Sequence, residues 1–151
     1  MTYESLLIAS DKLGLIAKEK DLQAFDGRIK GKRIAVRKTI ETQQEKACVL
    51  AEELGHYFTS SGDIMNDSED ARKQEHKARM WSYDVQVGLS GIVRAYEAGC
   101  CGLYDMADYL NVPDAYLREV LYQYHEKYGS TARYGDYVIQ FDPYLEVYFD
   151  A

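Results

Sequence analysis

One stretch, from Thr42 to about Ser60, constrains this chain more than any other. Thr39 or Thr42 can cap a helix here, and Thr42-x-x-Glu45 is a capping box, in which the threonine oxygen accepts from a free backbone N–H of the first turn. Ala47, Leu50, Ala51 and Leu54 recur at helical spacing and give one apolar face. A helix over about 42–60 that must bury that face follows. Gly55 sits inside it, at a cost of about 1 kcal/mol relative to alanine. Close packing of a neighbour against Gly55 is the expected reason for that glycine.

The same helix carries Leu50-Ala51-Glu52-Glu53-Leu54-Gly55-His56-Tyr57. Spacing i, i+4 sets Glu52 and His56 one turn apart on one face, where two side chains can share a metal ion. Glu53 lies at the flank, where a carboxylate can act as general base on an attacking water. The pattern is that of His-Glu-x-x-His with glutamate in place of the first histidine. Carboxylate oxygen is an accepted zinc ligand. A catalytic zinc site needs a third protein ligand. The next helix offers Gln74-Glu75-His76-Lys77-Ala78, and either Glu75 or His76 can reach the ion, though adjacent helical residues diverge by about 100°. A Glu-Glu pair on an amphipathic helix is also what a solvated face looks like, so periodicity alone leaves both readings open.

Around this segment the pattern is that of one α+β domain. Residues 3–19 read as a helix through Leu6, Leu7, Leu13 and Ile16, and 21–37 as two or three short strands. Asp26-Gly27 carries a hairpin-turn signal and Gly31 a turn or bulge. After the helix at 42–60, Ser60-Ser61-Gly62-Asp63 gives a stop and 62–68 a polar loop. A helix over about 69–84 follows, with Ala71, Ala78, Trp81 and Tyr83 as packing residues, and another near 89–98. Leu103–Leu110 and Pro113–Tyr128 form a helix pair resembling a helix-turn-helix in outline, with Pro113 in the first turn of the second. The tail from about 134 alternates as strand. The chain divides into 1–85, with the hairpin and metal-site helices, and 86–151, a helical subregion with a strand-like tail.

Charge and cysteine usage narrow the function classes. A formal net charge of −7 argues against general nucleic-acid binding. Arg28, Lys30, Lys32, Arg33, Arg37 and Lys38 form a local basic cluster, whose alternation with apolar residues reads as the wet face of strands. Cys48, Cys100 and Cys101 are odd in number and lack Cys-x-x-Cys spacing, so they read as small buried reduced residues. No run approaches the roughly 20 apolar residues of a membrane span. The N-terminus lacks signal-peptide features, so a cytosolic location without membrane attachment is expected. Tyr122, Tyr124 and Tyr128 read as packing and rim residues, Trp81 as core and His125 as surface.

At Glu52-Glu53-Leu54-Gly55-His56 the sequence resembles the ImmA/IrrE family of metallopeptidases, known from phages, integrative elements and bacterial regulatory operons. The resemblance extends to the hairpin before the helix, to Gln74-Glu75-His76-Lys77-Ala78-Arg79-Met80-Trp81 and to Leu103–Val112, roughly residues 20–130 in all. It implies a zincin-like fold with Glu52, His56 and Glu75, rather than His76, as metal ligands and Glu53 as general base. Many family members have histidine at Glu52, and phage-type members resemble this chain in reading Glu-Glu-Leu-Gly-His. Two carboxylates neutralise a divalent ion, so its water is acidified less than in a His₂Glu set. Zinc is the expected ion, with manganese second. The implied activity is cleavage of a helix-turn-helix repressor to derepress its genes. The alternative is an antirepressor that sequesters the repressor without cutting it. Direct DNA binding by Asp114–Glu119 is not expected, because that segment mixes acids with a single early arginine. Tyrosine can supply an oxyanion donor, and among 14 of them the sequence does not choose.

Overall fold

A computed structural model describes residues 1–60 and 68–151. The fold is α+β, in two compact units, Met1–Val85 and Gln86–Ala151. The loop expected over 62–68 lies, apart from Ser68, outside the described residues, as does the expected stop beyond Ser60.

The first unit opens with α1, Tyr3–Lys12, capped by the Thr2 hydroxyl accepting from the Ser5 N–H. The helix expected to reach residue 19 stops here, and Ile16–Lys20 form strand β1 instead. The reason is Gly14, whose φ of +77° turns the chain out of the helix. Leu13 and Ile16 fit a helical stripe by spacing, but a pattern spanning a left-handed glycine belongs to two elements. Strands β2 (Gly27–Lys30) and β3 (Arg33–Arg37) complete a sheet of order β1-β3-β2, with β1 parallel and β2 antiparallel to β3.

The hairpin turn expected at Asp26-Gly27 lies instead at Gly31-Lys32, where Gly31 has φ +60° and the flanking Lys30 and Arg33 are register partners. Gly27 is already the first residue of β2, opposite Val36. Residues 22–25 form no strand but belong to the connection from β1 to β2. Asp26 anchors that connection: its carbonyl accepts from the Arg37 N–H at 2.7 Å and its carboxylate pairs with the Arg37 guanidinium at 2.7 Å.

One face of this sheet carries Ile34 and Val36, 2% and 0% exposed, and helix α2 (Gln43–Thr59) packs on it. Thr42 caps α2 as expected, accepting from the Glu45 N–H at 3.1 Å. Ala47, Leu50, Ala51, Leu54 and Gly55 are its buried face. With Tyr3 and Leu6 of α1, Leu15 and Ile40 they close the core. Helix α3, Ser68–Gln86, lies against α2 at one tight point. A β-carbon on Gly55 would fall on the carbonyl oxygen of Ala78. Beyond that point Phe58 stacks on Trp81, centroids 5.1 Å apart, which makes Trp81 half-buried rather than core.

The second unit holds α4 (Gly88–Glu97), α5 (Leu103–Leu110), α6 (Asp114–Tyr128) and an antiparallel sheet β4 (Thr131–Tyr134), β5 (Tyr137–Gln140), β6 (Glu146–Phe149). Its strands begin at Thr131, earlier than the alternation at 134 implied. Pro113 is the N-cap of α6, with ψ 148°, rather than a first-turn residue. Asn111, left-handed at φ 57°, makes the turn between α5 and α6. Ile92, Leu117, Val120, Tyr124 and Ile139 form the buried centre. Arg118, the early arginine of α6, donates to the Tyr104 hydroxyl of α5 at 2.9 Å and lies over its ring. None of the three cysteines is in a disulfide, but the reading of all three as buried is corrected: Cys48 and Cys100 are half-buried and Cys101 is exposed. No helix among the described residues is long and apolar enough to cross a membrane.

The α2–α3 contact sets a clear expectation. Gly55→Ala gains intrinsic helix propensity, yet overpacking against Ala78 costs about 1–3 kcal/mol. Its urea midpoint falls below wild type. Gly102→Ala, with no atom within 4 Å of its new methyl group, meets no overpacking, and as the N-cap of α5 it costs at most about 1 kcal/mol through poorer capping.

Candidate metal centre

Helix α2 presents Glu52 and His56 one turn apart, and the close crossing at Gly55 and Ala78 brings Glu75 of α3 to them. The crossing works because Gly55 contributes no side chain and Ala78, 0% exposed, contributes only a methyl. His56 Nε2 and Glu75 Oε2 are 3.1 Å apart. One donor atom each from Glu52, His56 and Glu75 falls within 4.8 Å of the others. Ligand bonds of 2.0–2.2 Å in a tetrahedral shell put donors roughly 3.4 Å apart. Small rotamer changes therefore suffice to close the three donors on one ion. His76, the other residue considered from sequence, is exposed and outside this cluster.

Glu53 sits on the flank of α2 facing strand β2. Its Cγ and Oε1 lie 3.0 Å from where a β-carbon of Gly27 would be. Gly27 is thus a second close approach: the missing side chain makes room for Val49, nearest to that β-carbon position at 2.6 Å, and for the Glu53 side chain against the sheet. Burial, then the charges of Glu52 and Glu75, push the Glu53 pKa up to about 7. Burial and the adjacent Glu75 carboxylate also raise that of Glu52, against the opposing pull of Arg79.

Arg79 is the participant that reasoning from sequence missed. Its guanidinium lies 3.7 Å from both a Glu52 oxygen and a Glu75 oxygen. The signal was present, since Arg79 follows Glu75 at i+4, the spacing of a helical ion pair. Three carboxylates facing one guanidinium leave an excess of two negative charges when all are ionised. A divalent cation matches that excess, and the histidine and carboxylate donors are those zinc accepts. On charge and on donor chemistry the residues fit such an ion.

The family model described as Peptidase_M78, IrrE N-terminal-like domain, matches residues 12–138, a span that includes α2, α3 and all four acidic and histidine residues of the centre. No curated protein and no solved structure matches the chain.

The raised carboxyl has a consequence for pH. Unfolded, Glu53 ionises near 4.5, whereas in the fold it holds its proton to about 7. The folded state binds more protons in that window, so the stability this group contributes is full below 4.5 and is lost as pH rises through 7. Metal-free protein should lose Tm across that range, and zinc binding at pH 6 should release protons that it does not release at pH 8. Calorimetry in buffers of different ionisation enthalpy measures this. Equal proton release at both pH values would contradict the assignment.

Proposed function

The chain belongs to the IrrE N-terminal-like peptidase family, and from that premise we propose that it is a metal-dependent endopeptidase acting on a helix-turn-helix repressor, whose loss derepresses the genes it controls. The observation that carries the enzymatic part is the convergence of Glu52, His56 and Glu75 beside a carboxylate, Glu53, held near neutrality. The repressor as substrate rests on the family resemblance.

In this reading Glu52, His56 and Glu75 hold the ion, zinc first and manganese second. A divalent ion supplies Lewis-acid polarisation and lowers the pKa of a water at the site. Glu53 takes the proton of the attacking water and returns it to the leaving amine, and a carboxylate that titrates near 7 can do both. Strand β2 is an edge strand of its sheet, and its first residue, Gly27, abuts Glu53. A substrate segment adding as a further strand along β2 would lead a peptide bond toward the centre, with main-chain hydrogen bonds supplying the affinity.

One observation favours a second reading, an antirepressor that binds without cutting. Arg79 reaches both Glu52 and Glu75, so the fold has its own partial countercharge for these carboxylates. Glu53→Gln separates the readings. With a candidate helix-turn-helix repressor and added zinc or manganese, the peptidase reading expects cleavage by wild type. It expects a loss of about 10²–10⁴-fold in kcat for Glu53→Gln. Binding of intact repressor should be retained by the variant. A repressor left whole by wild type under every metal condition, yet still bound, would establish the antirepressor instead.

A further inference from the structure

The outer face of the first sheet, opposite α2, has a composition that neither the fold nor the metal centre explains. Strand register places Lys18 and Lys20 of β1, Arg28 and Lys30 of β2, and Arg33 of β3 on that one face, with Ala35 at its middle. Ala35 is the register partner of Lys18 on one side and of Arg28 on the other. The smallest side chain of the face is thus ringed by its longest. The result is a hollow of about 400 Å³ lined by these five cations, with Ile16 and Ala35 contributing apolar surface.

The electrostatics are one-sided. Lys30 stands directly opposite Arg33, and Lys20 directly opposite Arg37. Like charges in direct cross-strand pairs are destabilising. The carboxylates nearest in sequence are already engaged: Glu19 accepts from Lys46 and Tyr3, and Asp26 pairs with Arg37 at the end of this face. Among the described residues, no carboxylate forms a salt bridge with any of the five cations lining the hollow. In a chain of net charge −7, acidic residues are abundant, yet among the described residues the five cations around the hollow keep none of them as a salt-bridge partner, and the Asp26 carboxylate at the end of the face is taken by Arg37.

We propose that this hollow binds a small polyphosphorylated ligand, either a nucleoside di- or triphosphate or a short inorganic polyphosphate. Same-face residues along a strand are about 6.6 Å apart and the outer strands about 9.6 Å apart, so the cations ring an area of roughly 10 by 7 Å. A di- or triphosphate concentrates three or four negative charges in that space, and guanidinium forks match phosphate oxygens two at a time. An acidic peptide carries its carboxylates on separate side chains and cannot converge as many on one hollow. Single-stranded nucleic acid is disfavoured because no aromatic ring on the face offers a base a stacking surface. A duplex is too wide to enter the hollow.

The test uses full-length, metal-free protein, so that phosphate groups have no ion at the Glu52–His56–Glu75 cluster to bind. Its outcome is therefore independent of peptidase activity. Calorimetric titration at low salt compares tripolyphosphate, ATP, AMP and a 20-base-pair duplex. Tripolyphosphate and ATP should bind at least 10-fold more tightly than AMP. Equal affinities for the two would assign recognition to the phosphate chain alone, and tighter ATP binding would add the nucleoside. Ala35→Leu, which fills the hollow and keeps every cation, should weaken both at least 10-fold, as should Lys18→Gln with Arg33→Gln. Because the latter change also relieves like-charge repulsion, the double variant should melt no lower than wild type without ligand. Absence of triphosphate binding, binding indifferent to Ala35→Leu, or tighter binding of the duplex than of either triphosphate would each overturn the proposal.

Discussion

Two helices cannot bring short carboxylate side chains to one point unless their backbones come close, and here that approach is made at Gly55 against Ala78. The candidate metal centre depends on this contact. Glu52 and His56 are held one turn apart by α2 alone, but Glu75 belongs to α3 and reaches His56 at 3.1 Å only because of the crossing. A side chain at 55 would lift α3 away. The buried stripe of α2, from Ala47 to Gly55, holds the helix on the sheet, and the Phe58–Trp81 stack holds the far side of the crossing. The intrinsic cost of glycine in mid-helix is thus offset by the geometry it permits.

The electrostatics of the centre follow from the same crowding. Burial and the neighbouring Glu52 and Glu75 charges raise the proton affinity of Glu53, burial and Glu75 raise that of Glu52, and Arg79 offsets only part of this charge. A buried carboxylate near neutrality is expensive in the empty protein and useful in catalysis, a combination typical of functional sites. Two glycines serve this arrangement in the same way. Gly55 admits α3, and Gly27 admits Val49 and the Glu53 side chain beside β2.

Much of this was legible in the residues. The capping box at Thr42, the stripe of α2 and the i, i+4 pair Glu52 and His56 are local patterns, and local patterns survive folding. The choice of Glu75 over His76 was not local. Periodicity left it open, the family resemblance favoured Glu75, and the crossing places that residue beside His56. Two of the misplaced boundaries turn on glycines whose roles apolar spacing alone does not show. Gly14 ended a helix whose apolar spacing ran on through Ile16, and Gly27 answered to α2 rather than to a hairpin. Arg79 stood at helical pairing distance from Glu75 and went unremarked because arginine is not a ligand type. The basic cluster was read as a solvated strand face, and it is one. Its register, which gathers Lys18 and Lys20 from β1 with Arg28, Lys30 and Arg33, required the parallel pairing of β1 with β3.

The central claim is that Glu52, His56 and Glu75 hold a metal ion, and elemental analysis of purified protein tests it most directly. The account predicts one equivalent of zinc or manganese per chain in the wild type, lost in His56→Ala while the fold, followed by circular dichroism, is kept. Wild-type protein that binds no ion after reconstitution with either metal would contradict the account and leave Arg79 as the sole countercharge of the site.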